Sequence, residues 1–353
     1  MPVFTFRLKT VLTGVLSCLF ILLLLINPET CTSAAKSGLN IALYLVLPTL
    51  FPFAVISSYI CSRLVFPDFI TNIFSKISGI RGESLASFLP GLISGYPVGA
   101  ILLSDAYSNE RITKKEAEHL LPFCNACGPL FAIGVLGGGM FGSYTIGYFL
   151  YAVHLTSVLT VCFFARRFAP RSGRGTTKQI VKTSLVRAVD KAMNSMLGVV
   201  GCIVFFSVVC QMIKLTGIFE IFGQFSSVPY GVIELTNGLN LLALSDFPMR
   251  LKLSFASFLC GFSGICILLQ VQSVVKESGL SIFKYVVFKL CIGVVAFWLT
   301  WILFPIIPVS IPTFKTTTPV SMEFITCGYG FLLILLPVLK LSRLVKSAFF
   351  DKR

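Results

Sequence analysis

Glycine and proline crowd into stretches of this chain that are otherwise apolar enough to lie inside a bilayer, and that combination excludes most folds. The densest stretch runs from Leu89 to Gly142. It opens with Pro90-Gly91-Leu92-Ile93-Ser94-Gly95-Tyr96-Pro97-Val98-Gly99-Ala100, continues with Phe123-Cys124-Asn125-Ala126-Cys127-Gly128-Pro129-Leu130-Phe131, and ends near Gly137-Gly138-Gly139. Proline removes a backbone donor and clashes with the preceding turn, while glycine adds chain entropy, so a regular helix does not persist here. Irregular backbone at membrane depth is tolerated only where it is buried in protein or lines a wet cavity. The stretch predicts a re-entrant hairpin over Ser84 to Ser104, followed by an unwound helix. A second such pair follows later, with a hairpin over Val228 to Asp246 around Gly231-Val232-Ile233-Glu234-Leu235-Thr236-Asn237-Gly238. Its partner is Leu253 to Val274, broken at Gly261-Phe262-Ser263-Gly264.

With 56% hydrophobic and 12% charged residues, the chain lies outside the range of soluble domains and reads as an integral membrane protein. A net charge of +15 would ordinarily suggest nucleic acid. Here the excess is confined to one loop (Arg166, Arg167, Arg171, Arg174, Lys178, Lys182, Arg187, Lys191) and the tail (Lys340, Arg343, Lys346, Lys352, Arg353). That is the positive-inside pattern of cytoplasmic segments. The bilayer is the expected partner, nucleic acid is not, and the oligomeric state is left open. Cys124 and Cys127 have the spacing of a metal or redox pair, but no second pair follows and His119 and His154 are the only histidines. They read as small residues at a close helix contact, with no metal implied. No His-Glu-x-x-His, no paired aspartates in adjacent spans and no Gly-x-Ser-x-Gly with a partner histidine points to an enzyme.

In order, Val11 to Ile26 follows Arg7 and Lys9 and reads as a retained helix. It is longer than a usual signal core, and Asn27-Pro28-Glu29-Thr30 stands where a cleavage site would be. Asn40 to Leu64 is a span kinked at Pro48 and Pro52, and Phe66 to Arg81 is an interfacial helix. Thr113-Lys114-Lys115-Glu116 forms a capping box that starts a helix at Lys114. That helix continues into Phe123 to Gly142, and Tyr144 to Phe164 completes the half. The second half offers Met193 to Ile213, the second hairpin, Leu253 to Val274, Ile282 to Ile306 with Ser281 as its cap, and Phe324 to Leu339. Each half thus holds five apolar candidates, and five crossings cannot return a chain to its starting side. The N-terminus, the basic loop and the tail should all be cytoplasmic. One hairpin per half repairs the parity and leaves only Arg250 and Lys252 on the wrong side.

The expected fold is all-α, with about eight transmembrane helices and two re-entrant hairpins entering from opposite faces. The two units, pairing Gly91 to Gly99 with Gly231 to Gly238 and Phe123 to Phe131 with Phe258 to Cys266, form inverted repeats. The divisions are 1–39 (N-terminal helix and loop), 40–165 (first repeat), 166–192 (basic loop), 193–306 (second repeat) and 307–353 (last helix and basic tail).

Gly91-Leu92-Ile93-Ser94-Gly95-Tyr96-Pro97-Val98-Gly99-Ala100, Glu116-Ala117-Glu118, Phe123-Cys124-Asn125, Gly128-Pro129-Leu130-Phe131 and Glu234-Leu235-Thr236-Asn237-Gly238 together resemble the YlbJ-type sporulation integral membrane proteins. The resemblance covers about Val11 to Leu339. It departs from that pattern at Ala126 and Cys127 and at Ser263 and Cys266. It implies nucleoside-recognition, or gate-like, repeats similar in architecture to concentrative nucleoside transporters. It also implies a role in endospore formation, moving dipicolinate across the outer forespore membrane. The alternatives are a nucleoside-like or other small-solute transporter, or a membrane scaffold or assembly factor for sporulation.

Half-helix N-termini present free amides and partial positive charge, which suits a small organic anion without any buried lysine or arginine. Ser94, Gly95, Tyr96 and Gly99 at the first tip and Asn125 and Gly128 at the facing break are the candidate binding residues, with Thr236 and Asn237 at the second tip. Close helix packing is the competing reading for each glycine. Glu234 is a carboxylate at membrane depth, where charge is costly and usually functional. It reads either as the site of a coupling Na+ or H+ or as a cap on the hairpin's own backbone. No other cofactor is expected.

Overall fold

The structure, a computed structural model, describes residues 2–61, 63–64, 66–170 and 184–306. The span expected at Phe324 to Leu339, the basic tail and the middle of the basic loop (171–183) lie outside the described residues. Among those described, every regular element is helical. Four helices are long and apolar enough to cross a membrane: Tyr144–Phe168, Leu185–Thr216, Met249–Val275 and Phe283–Ile306. A fifth span results if Ser17–Ile26 and Pro28–Tyr44, which meet at a 100° bend, are taken together. Large apolar side chains stand exposed along these helices, among them Leu25, Tyr148, Phe164, Leu197, Phe205, Trp298 and Ile302. Such a belt is unlike the surface of a soluble monomer and suits lipid.

After α1 (Pro2–Ile26) the chain turns and at once begins α2 (Pro28–Asn40), where a connecting loop is expected from the sequence. Pro28 stands at the first helical turn, where its missing N–H costs nothing, and Glu29 favours the positive helix end. The wide turn Ile41–Val46 leads on to α3 (Leu47–Cys61), which carries Pro52 inside it. The amphipathic α4 (Asp68–Ser78) ends at Gly79 with φ 71°. Then come the hairpin helices α5 (Leu85–Ser94) and α6 (Val98–Ser108).

Helix α7 (Lys114–Cys124) starts at the expected capping box: Glu116 N donates to Thr113 Oγ1 at 3.3 Å, and Thr113 N donates to Glu116 Oε2 at 2.8 Å. Beyond the break at 125–129 the glycine-rich segment does not unwind but forms a π-helix, Leu130–Met140. The chain then enters α8 (Tyr144–Ala165) and, past the basic loop, α9 (Leu185–Thr216). The second half consists of α10 (Ser227–Ile233), α11 (Leu235–Leu244), α12 (Met249–Phe262), α13 (Gly264–Val275) and α14 (Phe283–Leu303). Ser281 contributes to the start of α14, its Oγ accepting from Phe283 N at 3.3 Å, although the helix begins one residue later than expected.

The two hairpins open at opposite ends of the bundle, as contacts along α14 show. Its start is tied to the first hairpin's neighbourhood: Ser281 N donates to Glu118 Oε1 at 2.9 Å. At that end Arg81 Nε and Nη2 donate to the two Glu116 oxygens at 2.8 and 2.9 Å, which joins the way into the hairpin to the way out. Burial pushes the Glu116 carboxyl up, but Arg81 and Thr113 outweigh it and hold it below its ordinary value. Arg166 Nη1 donates to the Lys76 carbonyl at 2.9 Å, and Asp105 pairs with Arg111 and Lys191.

About 20 Å further along α14, toward its other end, Phe297 packs on Phe255 with ring centroids 5.2 Å apart. There Phe225 and Phe247, just outside α10 and α11, meet at 5.0 Å. Arg250 and Lys252, the two exceptions to the charge rule, cap helix ends on this face. Arg250 Nε donates to the Trp301 carbonyl at 2.9 Å and Lys252 Nζ to the Ala243 carbonyl at 2.9 Å.

Candidate functional site

Each hairpin tip meets the break in the helix pair that follows it. In the first unit, α5 and α6 close together at Gly91 and Gly99: a Cβ on Gly91 would lie 2.8 Å from Gly99 Cα and 2.9 Å from the Cys124 carbonyl oxygen. The tip turns at Gly95 with φ 90°, a conformation that side chains other than glycine's rarely adopt. A Cβ there would also stand 3.1 Å from Gly128 N, so Ser94, Gly95 and Gly128 are in backbone contact. The second unit repeats this arrangement. Gly238 lies directly against Gly231, and a Cβ on Gly264 (φ 80°) would be 3.0 Å from the Gly231 carbonyl oxygen.

The backbone groups freed at the breaks find partners, as they must in an apolar surrounding. Cys127 N donates to His154 Nε2 at 3.0 Å, which gives one of the two histidines a structural task. Cys124 and Cys127 are buried, with their thiols turned to backbone carbonyls: Cys124 Sγ lies 3.6 Å from Gly99 O and Cys127 Sγ 3.8 Å from Gly128 O. Asn125 is buried and donates from Nδ2 to Tyr285 Oη at 2.7 Å. Ser94 Oγ is bonded to Ser57 Oγ at 2.8 Å and donates to the Pro90 carbonyl at 2.6 Å. At the second tip, Glu234 is the N-cap of α11 and accepts from Thr236 N at 3.1 Å and from Asn237 N at 2.7 Å. Those amides are therefore occupied by the protein's own carboxylate.

Both tips line one central cavity of about 100 Å³. Ser94, Gly95 and Tyr96 face Glu234, Leu235 and Thr236 across it, with Gly128, Leu130 and Phe131 from the first break and Gln270 from α13. The remaining wall is apolar and comes from Ile41, Val46 and Leu50, from Val135 and Ile267, and from Val199 and Ile203 of α9. Of the sequence candidates, Gly99 and Asn125 lie behind this wall, in the packing of the hairpin against α7. Asn237 lines a second, polar cavity of about 490 Å³ together with Glu29, Thr30, Ser33, Ser37, Ser207 and Gln211. Ile41 borders both cavities.

One expectation is corrected. The sequence predicts a site without buried lysine or arginine, yet Lys289 of α14 is wholly buried. Its Nζ donates to the Asn125 carbonyl at 3.1 Å and stands 5.5 Å from the centre of the Tyr96 ring and 5.8 Å from that of Tyr285. Gly293, four residues on, receives the other unit: a Cβ on Gly261 would lie 2.6 Å from Gly293 Cα. The two breaks are thus about 6 Å apart along α14. The sequence does not single out Ser57, Gln270 or Tyr285, since each lies in a largely apolar helix without a motif.

Fold and cavity together define a multi-pass, all-helical integral membrane protein in which two hairpins meet two broken helices around a central cavity. The chain is 26% identical over 316 residues to the sporulation integral membrane protein YlbJ of Bacillus subtilis (strain 168), covering 76% of each chain. That similarity supports the resemblance to the YlbJ type seen in the motifs. No protein-family model matches the chain, and no solved structure does.

Proposed function

We propose that this is a sporulation membrane protein that transports a small organic anion, of the dipicolinate class, by alternating access between two inverted gate-like repeats. The observation that carries the reading is the central cavity, lined by both hairpin tips. Broken helices that converge on a cavity near mid-bundle are the architecture of secondary transporters. The likeness to the YlbJ protein supports the sporulation setting, and the resemblance supports dipicolinate and the outer forespore membrane. A scaffold would gain nothing from irregular backbone around a void. Another flat solute, nucleoside-like in size, is the second reading, favoured by the largely apolar wall. In this proposal about eight spans cross the membrane, both termini are cytoplasmic, and the protein performs no chemistry on its cargo.

Coupling to H+ or Na+ is assigned to the second tip. The polar cavity that ends at Asn237 gives water and cations a route toward Glu234, and Glu29 lines that cavity. The test is uptake of labelled dipicolinate by proteoliposomes with imposed proton, sodium or no gradients. Saturable uptake that one gradient accelerates is expected. Uptake no greater than in protein-free vesicles under all three conditions would overturn the reading.

A further inference from the structure

Lys289 is a charge that packing does not explain. A lysine ammonium carries three donors, and here one goes to a backbone carbonyl while two tyrosine faces lie nearby. Among the described residues no carboxylate stands within ion-pair distance of it. Burying such a group without an acidic partner is costly, and a methionine of similar length would fill the same space at lower cost. Around it sit further buried polar atoms: Asn125 Oδ1 has no partner, and the Tyr96 hydroxyl has none but the Cys127 thiol beside it. Of this cluster Tyr96 alone lines the central cavity, and Lys289 and Asn125 are buried directly behind it. An ammonium and a phenol with unused donors are the groups that take up a carboxylate, whereas the free Asn125 Oδ1 is an acceptor and does not.

We propose that Lys289, with the Tyr96 hydroxyl, is the carboxylate-binding pole of the central cavity and makes the cavity selective for anions. The proposal rests on the transport reading only for the identity of the cargo. It assigns the positive charge to α14, leaving the second tip, whose amides Glu234 already holds, without direct contact with the anion. The solute's ring would lie against the apolar wall at Phe131 and Ile203.

Purified full-length protein in detergent decides the matter through saturation binding and thermal unfolding with dipicolinate and with its uncharged diamide. The wild type is expected to bind dipicolinate at least tenfold more tightly than the diamide. Lys289→Met should unfold at the same or a higher temperature, because an unpaired buried charge is gone, and should lose that tenfold preference. A residue kept for structure alone would show the opposite, a lower unfolding temperature with the preference intact. Tyr96→Phe keeps the ring and the lysine, and should weaken dipicolinate several-fold without affecting the diamide. It carries the test if Lys289→Met does not fold. Equal dipicolinate affinity in wild type and in whichever variant folds overturns the proposal, as does a wild type that binds neither compound. Should binding follow Lys289 while vesicles accumulate nothing, the anion pole stands and the transport reading falls.

Discussion

Glu234 shows how a residue legible in sequence acquires its meaning only from geometry. Its isolation in an apolar hairpin marks it as functional, and both readings of it, cap and coupling site, begin from that fact. The structure realises the cap, since both carboxylate oxygens accept amides of α11. Glu234→Gln therefore does more than remove charge: its amide nitrogen cannot accept, so one of the two cap bonds is lost. We expect Glu234→Gln to lower stability by about 1 kcal/mol, measured by thermal unfolding. Glu234→Asp, a stronger cap former, should keep stability within a few tenths of a kcal/mol of wild type. Gradient dependence of uptake, lost in Gln and kept in Asp, would place coupling at this carboxylate. If Gln unfolds as wild type does, the cap contributes nothing. Lys289 is the converse case. It lies two turns into an apolar helix, and a long side chain there can snorkel outward or turn inward with the same sequence. Only the position of Asn125 and Tyr96 against α14 decides which.

At the scale of elements, the hairpins and their facing breaks were legible because glycine at a backbone contact has few substitutes. Gly91 with Gly99, Gly231 with Gly238, and Gly95 with Gly128 are contacts that a Cβ would disrupt. Helix α2 was not legible. Its Thr30, Ser33 and Ser37 look like loop residues, and they are polar because they line a cavity. The sequence predicts unwound backbone where the π-helix stands, since glycine content reports weakened α-helix and not what replaces it. The opposed hairpins make a direct prediction for single cysteines placed in a background without the native ones. Asn72 and Ser108 flank the first hairpin, and Gln224 and Asp246 flank the second; all four are exposed. An impermeant thiol reagent should label the first two from one side of the membrane and the last two from the other. Labelling of Asn72 and Ser108 from opposite sides would make the first hairpin a span.

For the whole molecule, the parity of basic segments is an argument about sidedness that no single motif announces. The described residues gather Lys76, Arg81, Arg111, Arg166 and Lys191 at one end of the bundle, tied there by their own hydrogen bonds and ion pairs. The cavity, by contrast, was not legible in its dimensions, because its wall is completed by Ile41, Val199 and Ile203 from helices that carry no motif. Those residues supply the most direct test of the central claim, that solute passes through the space between the two tips. Ile203→Trp adds an aromatic ring into a cavity of about 100 Å³ from α9, leaving both hairpins and Lys289 unaltered. Proteoliposomes bearing wild-type protein should take up dipicolinate saturably, and those bearing Ile203→Trp, with unchanged elution and unfolding temperature, should fall at least tenfold toward the protein-free rate. Undiminished uptake with the cavity filled would contradict the account.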